Sequence, residues 1–290
     1  MFVVTLFGFS FVPMKVGLRE MPPLVLCGLR FFFAALPLVF FIRRPRIPWP
    51  FIIAYGLAIG VFQFGLLFVG MSLGMPAGLA SLVIQVQVFF TIALGIRFLG
   101  DHFQRYNLIG AAIATAGLML LAIHKIDDGA GATLVGFVLV VGAAFAWATG
   151  NIVAKRAAGE HQADMFALVV WSALVPPLPL AALSWVFEGG AAAWHMVAAA
   201  SALTWACVLF MAWGATLFGF GSWAGLMHRY PTALISPFAL LIPVSGVISG
   251  WLLLGETLAP MQLFGALLVF AGLFVNVYGP RLRARFTRGT

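Results

Sequence analysis

Residues 76–118 recur without a gap as residues 231–273, at an offset of 155. Pro76 falls on Pro231, Ser81 on Ser236, Gly95 on Gly250, Leu99 and Gly100 on Leu254 and Gly255, Gly110 on Gly265 and Gly117 on Gly272. Asp101 falls on Glu256. A unit used twice must find equivalent surroundings twice, so the environment that suits one copy suits both. That environment is apolar. The chain is 63% hydrophobic and 8% charged, against about 25% charged in a soluble domain.

The apolar residues fall in ten runs, at about 2–18, 24–42, 51–71, 76–98, 106–123, 133–154, 165–187, 203–226, 231–254 and 260–279. About 20 residues cross ~30 Å of hydrocarbon as a helix. The runs are continuous rather than alternating in polarity, which excludes a barrel. Almost nothing is left over for a soluble domain. The chain is therefore expected to be an all-α integral membrane protein of ten transmembrane helices.

Five spans per half is an odd number, so two halves in tandem cross the membrane in opposite senses. The expected organisation is two inverted five-helix repeats, 1–123 and 133–279, followed by a basic tail, 280–290. In such folds the substrate site lies near the midplane between the halves. The first run is short, with no basic residue before Lys15 and no clear cleavage site, so it does not read as a signal peptide. A start a few residues further upstream is expected.

The net charge of +8 does not point to nucleic acid. When the ten spans are alternated, twelve Lys and Arg fall on one side: Arg43, Arg44, Arg46, Arg97, Arg105, Lys155, Arg156, Arg229, Arg281, Arg283, Arg285 and Arg288. Four fall on the other: Lys15, Arg19, Arg30 and Lys125. This positive-inside bias places both termini in the cytoplasm. The basic tail then faces anionic headgroups.

Several chemistries have no residues to carry them. Cys27 and Cys207 lie in apolar runs without disulfide or metal spacing. The five histidines sit at or near loops, again without ligand spacing. No Walker loop is present. Glu20, Asp101, Asp127, Asp128, Glu160, Asp164, Glu188 and Glu256 all lie at or near span ends, so no carboxylate is placed for a simple proton relay. No metal site and no cofactor are expected.

Polar groups within the spans are the site candidates, because each is expensive in hydrocarbon unless paired or facing water. Gln85 and Gln87 stand near the centre of the fourth run and Gln63 near the centre of the third. An amide both donates and accepts, which suits a zwitterion. The alternative is interhelical hydrogen bonding. Two residues apart on a helix point about 200° apart, so one glutamine is expected to face the cavity and the other to serve packing. Arg30 is a third of the way into the second run, where its fork could clamp a carboxylate. Otherwise it snorkels outward or caps a helix end. Asn151, Trp147, Trp171, Trp223 and Ser236 complete the candidate substrate-binding set.

Pro237 and Pro243 interrupt the ninth run, each removing a backbone donor. They read as a gate hinge or as a static bend. Asp101 and Glu256 each follow a glycine, and are expected to end one helix and sit at the positive N-terminus of the next. Gly110 and Gly117, with Gly265 and Gly272, form small faces suited to close packing against a neighbouring helix or a dimer partner.

The two halves also match near their starts, Phe7–Lys15 against Trp147–Lys155. With Met21–Phe31, Gly74–Val83, Gln85, Gln87, Phe89–Ile92, Gly95, Gly150–Ile152, Trp171–Leu174, Pro243, Val244, Asn276 and Val277, the chain resembles the EamA drug/metabolite transporters. The Gly74–Gly95 block is similar to the O-acetylserine/cysteine exporters among them. Phe7 stands where this family often carries Trp, and Ser10 where Asn is expected. The resemblance implies a secondary carrier of the bacterial inner membrane, working by alternating access. Its partners would be the lipid bilayer and a small amino-acid-like solute, with a homodimer possible. A broader exporter of amino acids or drug-like compounds is the runner-up, since one scaffold hosts many substrates. A membrane enzyme would need a cluster of His or acids at one interface, and a channel would repeat around a pore axis; neither pattern is present.

Overall fold

The computed structural model describes residues 2–100, 105–127, 131–161, 164–220, 222, 238, 241–257 and 259–286. Every regular element among them is helical. Ten apolar helices are numbered here in chain order: α1 Phe2–Gly17, α2 Pro23–Phe40, α3 Trp49–Ser72, α4 Ala77–Leu99, α5 Arg105–Leu121, α6 Leu134–His161, α7 Met165–Phe187, α8 Ala202–Gly219, α9 Leu241–Leu254 and α10 Pro260–Gly279. Seven are long and apolar enough to cross a membrane, while α1, α5 and α9 are shorter apolar helices. The ten full spans expected from the sequence are thus met in length by seven among the described residues.

Local chemistry sets the helix ends. α2 begins with prolines at positions 22 and 23, and Pro48 and Pro76 precede α3 and α4; at a first turn the missing proline N–H is no loss. Asp164 accepts from the Phe166 and Ala167 amides at the start of α7, and Ser201 accepts from the Thr204 amide at the start of α8. Gly100 and Gly255, a repeat pair, terminate α4 and α9 with φ of +69° and +67°, the left-handed conformation that favours glycine. Two helices take π-type turns at matching places. α3 runs through π-type turns over Gly56–Gln63 and α8 over Phe210–Gly219.

α5 and α10 form the most extensive helix pair among the described residues. A Cβ on Gly110 would lie 2.6 Å from the Gly272 carbonyl oxygen, and one on Gly117 would lie 2.6 Å from that of Gly265. Backbone meets backbone, so the pair is antiparallel and any side chain there would part it. Asn107 donates to Asn276 at 2.7 Å along the same seam. The glycine faces that the sequence offered to a neighbour or a dimer partner are therefore used within the chain. Large apolar side chains such as Phe40, Leu178 and Phe187 remain on the outer surface, where lipid takes the place of a core partner.

One face of the bundle is tied together by carboxylates that cross between the N-terminal and C-terminal halves. Glu256 accepts from the Ala77 and Gly78 amides at the start of α4, at 2.7 and 2.9 Å. Glu188 accepts from the Leu24 and Val25 amides at the start of α2, at 2.7 and 3.3 Å. Glu20 accepts from the Ser201 amide and hydroxyl at the start of α8, at 2.7 and 2.9 Å. Each puts negative charge on the positive end of a helix belonging to the other half. Within the N-terminal half, Lys15 donates to the carbonyls of Met71, in the last turn of α3, and of Met75, just beyond it, at 2.8 and 3.3 Å. Glu256 therefore caps α4, not the helix that follows it, and the expectation of simple punctuation is corrected. Asp101 lies outside the described residues.

Candidate functional site

A narrow cavity lies between the halves, on the inner side of both π-type stretches. The N-terminal half contributes Phe31, Tyr55, Gly56, Ile59, Gly60 and Phe64; the C-terminal half contributes Val169, Ser172, Pro176, Thr216 and Phe220. The glycines explain why the walls come so close. A Cβ at Gly56 would lie 2.6 Å from the Ser172 carbonyl oxygen, and one at Gly60 would run into the ring of Pro176. The free space is about 20 Å³, room for about one or two waters.

Arg30 lies directly behind the wall of this cavity, against Thr216 and Phe64, both of which line it. It comes from α2, is 1% exposed, and reaches neither a headgroup nor a helix end. Its Nε and Nη2 both donate to Thr216 Oγ1 at 3.1 Å. Its guanidinium carbon lies 3.9 Å from the centre of the Phe64 ring and 5.7 Å from that of Phe31, an arrangement that favours a cation over the ring faces. Nη1 is buried without a hydrogen-bond partner, and no carboxylate pairs with the guanidinium among the described residues. A desolvated cation with a donor to spare is chemically suited to an anion.

A second polar group stands between α4 and α6, away from the cavity. Gln87 Oε1 accepts from Asn151 Nδ2 at 2.9 Å and from Thr91 Oγ1 at 3.1 Å, and Asn151 also donates to Thr91 at 3.1 Å. Trp147, one turn before Asn151 on α6, is half-buried against the hydrophobic core. Gln85 is buried in a 3₁₀ turn, Ile84–Val86, within α4. Neither glutamine is among the residues that line the cavity. Gln63 is 3% exposed at the end of the π-type stretch of α3.

The remaining candidates scatter. Trp171 donates through Nε1 to the Ile42 carbonyl at 3.0 Å and meets Trp49 at 6.3 Å between ring centres, which ties α7 to the end of α2. Its neighbour Ser172 is the residue that lines the cavity. Pro243 is in the first described turn of α9, where its carbonyl is 3.5 Å from the Ser81 hydroxyl. Trp223, Ser236 and Pro237 lie outside the described residues. The structure thus sets Arg30 against two residues of the cavity wall, Thr216 and Phe64, groups Gln87 with Asn151, and sets Trp171 apart. Thr216, Tyr55, Phe64 and Ser172 were missed. Gly56 and Gly60, small residues one turn apart in the third run, are the sequence signal that could have marked a close approach there.

The comparisons agree with this architecture. Residues 1–123 and 134–278 match the model of the EamA-like transporter family. A probable amino-acid metabolite efflux pump of Salmonella typhimurium is 44% identical over 97% of this chain and 94% of its own length. A protein of Escherichia coli with the same description is 42% identical over the same shares. A crystal structure 18% identical in sequence superposes with a TM-score of 0.57, covering 94% of this chain and 96% of that one, which extends the likeness to the fold. This chain is a multi-pass membrane protein and belongs to the EamA-like transporter family.

Proposed function

We propose that the protein is a secondary carrier that exports small amino-acid metabolites, of the O-acetylserine and cysteine type, across a bacterial inner membrane. The observation that carries this reading is Arg30: a fully buried guanidinium, with Nη1 unpartnered, held against Thr216 and Phe64 of a cavity lined by both halves. An amino-acid carboxylate is the anion that matches its fork. The aromatic and aliphatic walls suit a short, weakly polar side chain, and Ser172 and the Tyr55 hydroxyl are polar groups available for its amine. The substrates named for the two efflux-pump relatives are of the same class.

Alternating access between inverted halves, 1–123 and 133–279, completes the reading. The α5–α10 seam supports it: under the repeat offset Gly110 maps to Gly265 and Gly117 to Gly272, and the contacts pair Gly110 with Gly272 and Gly117 with Gly265. Each contact maps onto the other when the halves are exchanged, as a two-fold axis in the membrane plane requires. The face bearing Glu20, Glu188 and Glu256 is the extracytoplasmic one by the Lys and Arg asymmetry, with both termini cytoplasmic, and the cavity opens when that face or its opposite parts. Gln85, Gln87, Gln63, Asn151 and Trp147 act as second-line polar and aromatic support. Pro237 and Pro243 serve as hinge candidates in the ninth run.

A metabolite efflux screen tests the function. Cells overproducing the protein should release more cysteine or O-acetylserine than cells carrying an Arg30→Ala variant at equal membrane level. Equal release from both, with raised efflux of unrelated amphipathic drugs, would replace this reading by that of a broad-specificity exporter.

A further inference from the structure

An arginine side chain is long and flexible, and it recognises an anion geometrically only when its planar fork is held in place. Resting on the reading of Arg30 given above, we propose that Thr216 is the positioning residue that fixes the Arg30 fork for the substrate carboxylate, and so makes the carrier select free acids over their neutral esters.

The hydrogen-bond directions decide the role. Thr216 Oγ1 accepts from both Nε and Nη2 of Arg30 at 3.1 Å, which occupies the side-on edge of the guanidinium. The hydroxyl has one proton, and it goes to the Met211 carbonyl at 2.9 Å, five residues back in the π-type stretch Phe210–Gly219. Its lone pairs are thereby turned to Arg30 and it has nothing left to donate, so Thr216 acts through Arg30 and not directly on a carboxylate. Phe64 lies against the plane of the guanidinium at 3.9 Å. With the side-on edge held and one face covered, the end-on pair, Nη1 with the outer N–H of Nη2, is what remains. Nη1 is the atom without a partner. Two parallel donors of this kind match the two oxygens of a carboxylate, and an ester offers no such anion.

The π-type geometry has a part in this. A regular α-helix would pair Met211 O with the amide four residues on. In the π-type stretch the hydroxyl five residues on reaches that carbonyl, which orients it. Thr216 is 2% exposed and lines the cavity, so the device stands where the two halves meet.

The test uses inside-out vesicles, labelled L-cysteine, and competition by unlabelled L-cysteine or its methyl ester. Thr216→Val keeps the shape and removes the acceptor; Thr216→Ser keeps the acceptor. Thr216→Val should raise the half-saturation concentration by about ten-fold, the effect of losing a hydrogen bond to a charged group, and shrink the preference for acid over ester, at an unchanged maximal rate. Thr216→Ser should restore both. Should Thr216→Val fail to insert, Thr216→Cys, of similar size and a weaker acceptor, makes the same measurement. Wild-type half-saturation and acid preference in the Thr216 variants, with both lost in Arg30→Lys, would leave Arg30 as receptor and overturn the positioning role alone. Unchanged transport in Arg30→Ala, or no wild-type flux of the acid, would overturn the Arg30 reading and this proposal with it.

Discussion

Removing the Glu256 carboxylate should loosen the face it ties. It accepts two backbone N–H bonds at the start of α4, at 2.7 and 2.9 Å. Hydrogen bonds to a charged group contribute about 1.5–3 kcal/mol each. In the parted state water can take both amides, so the lower end applies. Glu256→Ala then removes about 3 kcal/mol from closure of this face. Glu256→Gln keeps one acceptor oxygen and removes about half of that. Since about 1.4 kcal/mol is a factor of ten in a population, the Gln variant should raise the open fraction about ten-fold and the Ala variant by more. The assay is labelling of Ser172→Cys, in a chain with Cys27 and Cys207 changed to Ala, by a membrane-impermeant maleimide added from the extracytoplasmic side. Ser172 is 3% exposed and lines the cavity, so its labelling rate follows the opening. Glu160→Gln, on an exposed carboxylate at the end of α6, is the control. Labelling as slow in Glu256→Ala as in the control, with the protein folded and inserted, would refute the argument that the acid bridge holds the halves closed.

Three further outcomes are expected. Gly110→Ala places a methyl group 2.6 Å from the Gly272 carbonyl oxygen and should lower the melting temperature in detergent by an amount matching about 1–3 kcal/mol, whereas Gly159→Ala, with nothing within 4 Å, should not. Gln87→Leu should insert normally but impair transport by removing the acceptor that Asn151 and Thr91 share; if the group is only packing, the double change Gln87→Leu with Asn151→Leu should restore it, because the remaining Thr91 hydroxyl can bond its own helix backbone. The Ser201 amide, with the Thr204 and Ser201 side chains, holds the Glu20 carboxyl below its ordinary value. Its share of stability is therefore fully present above the ordinary carboxylate pKa and lost as pH falls through the depressed one, so the fall in melting temperature from pH 6 to pH 3 should be shallower in Glu20→Gln.

Much of the frame was legible because hydrocarbon permits so few solutions. An apolar run of about 20 residues is a helix, and glycines such as Gly110 and Gly117 mark where helices must touch. Legibility ended where the partner is distant in sequence. Glu256 was read against the helix beside it, since the helix N-terminus it caps lies 179 residues away. Gln87 and Asn151 were singled out as costly, but spacing could not tell that they hydrogen-bond each other. Thr216 gave no signal at all, since a threonine in an apolar helix ordinarily bonds its own backbone and needs no partner. The π-type turns of α3 and α8 likewise leave no mark in the residues that form them. Arg30 was legible because nothing makes a buried guanidinium cheap.

The most direct measurement is flux of labelled L-cysteine and O-acetyl-L-serine into inside-out proteoliposomes containing the purified protein or its Arg30→Ala variant, against empty liposomes. Saturable entry of at least one of the two with the wild-type protein, reduced to the empty-liposome level by Arg30→Ala, is the expected result. Entry that is equal in the wild type and the variant, or absent from both while an uncharged amphipathic drug enters, would contradict a carboxylate-recognising amino-acid exporter.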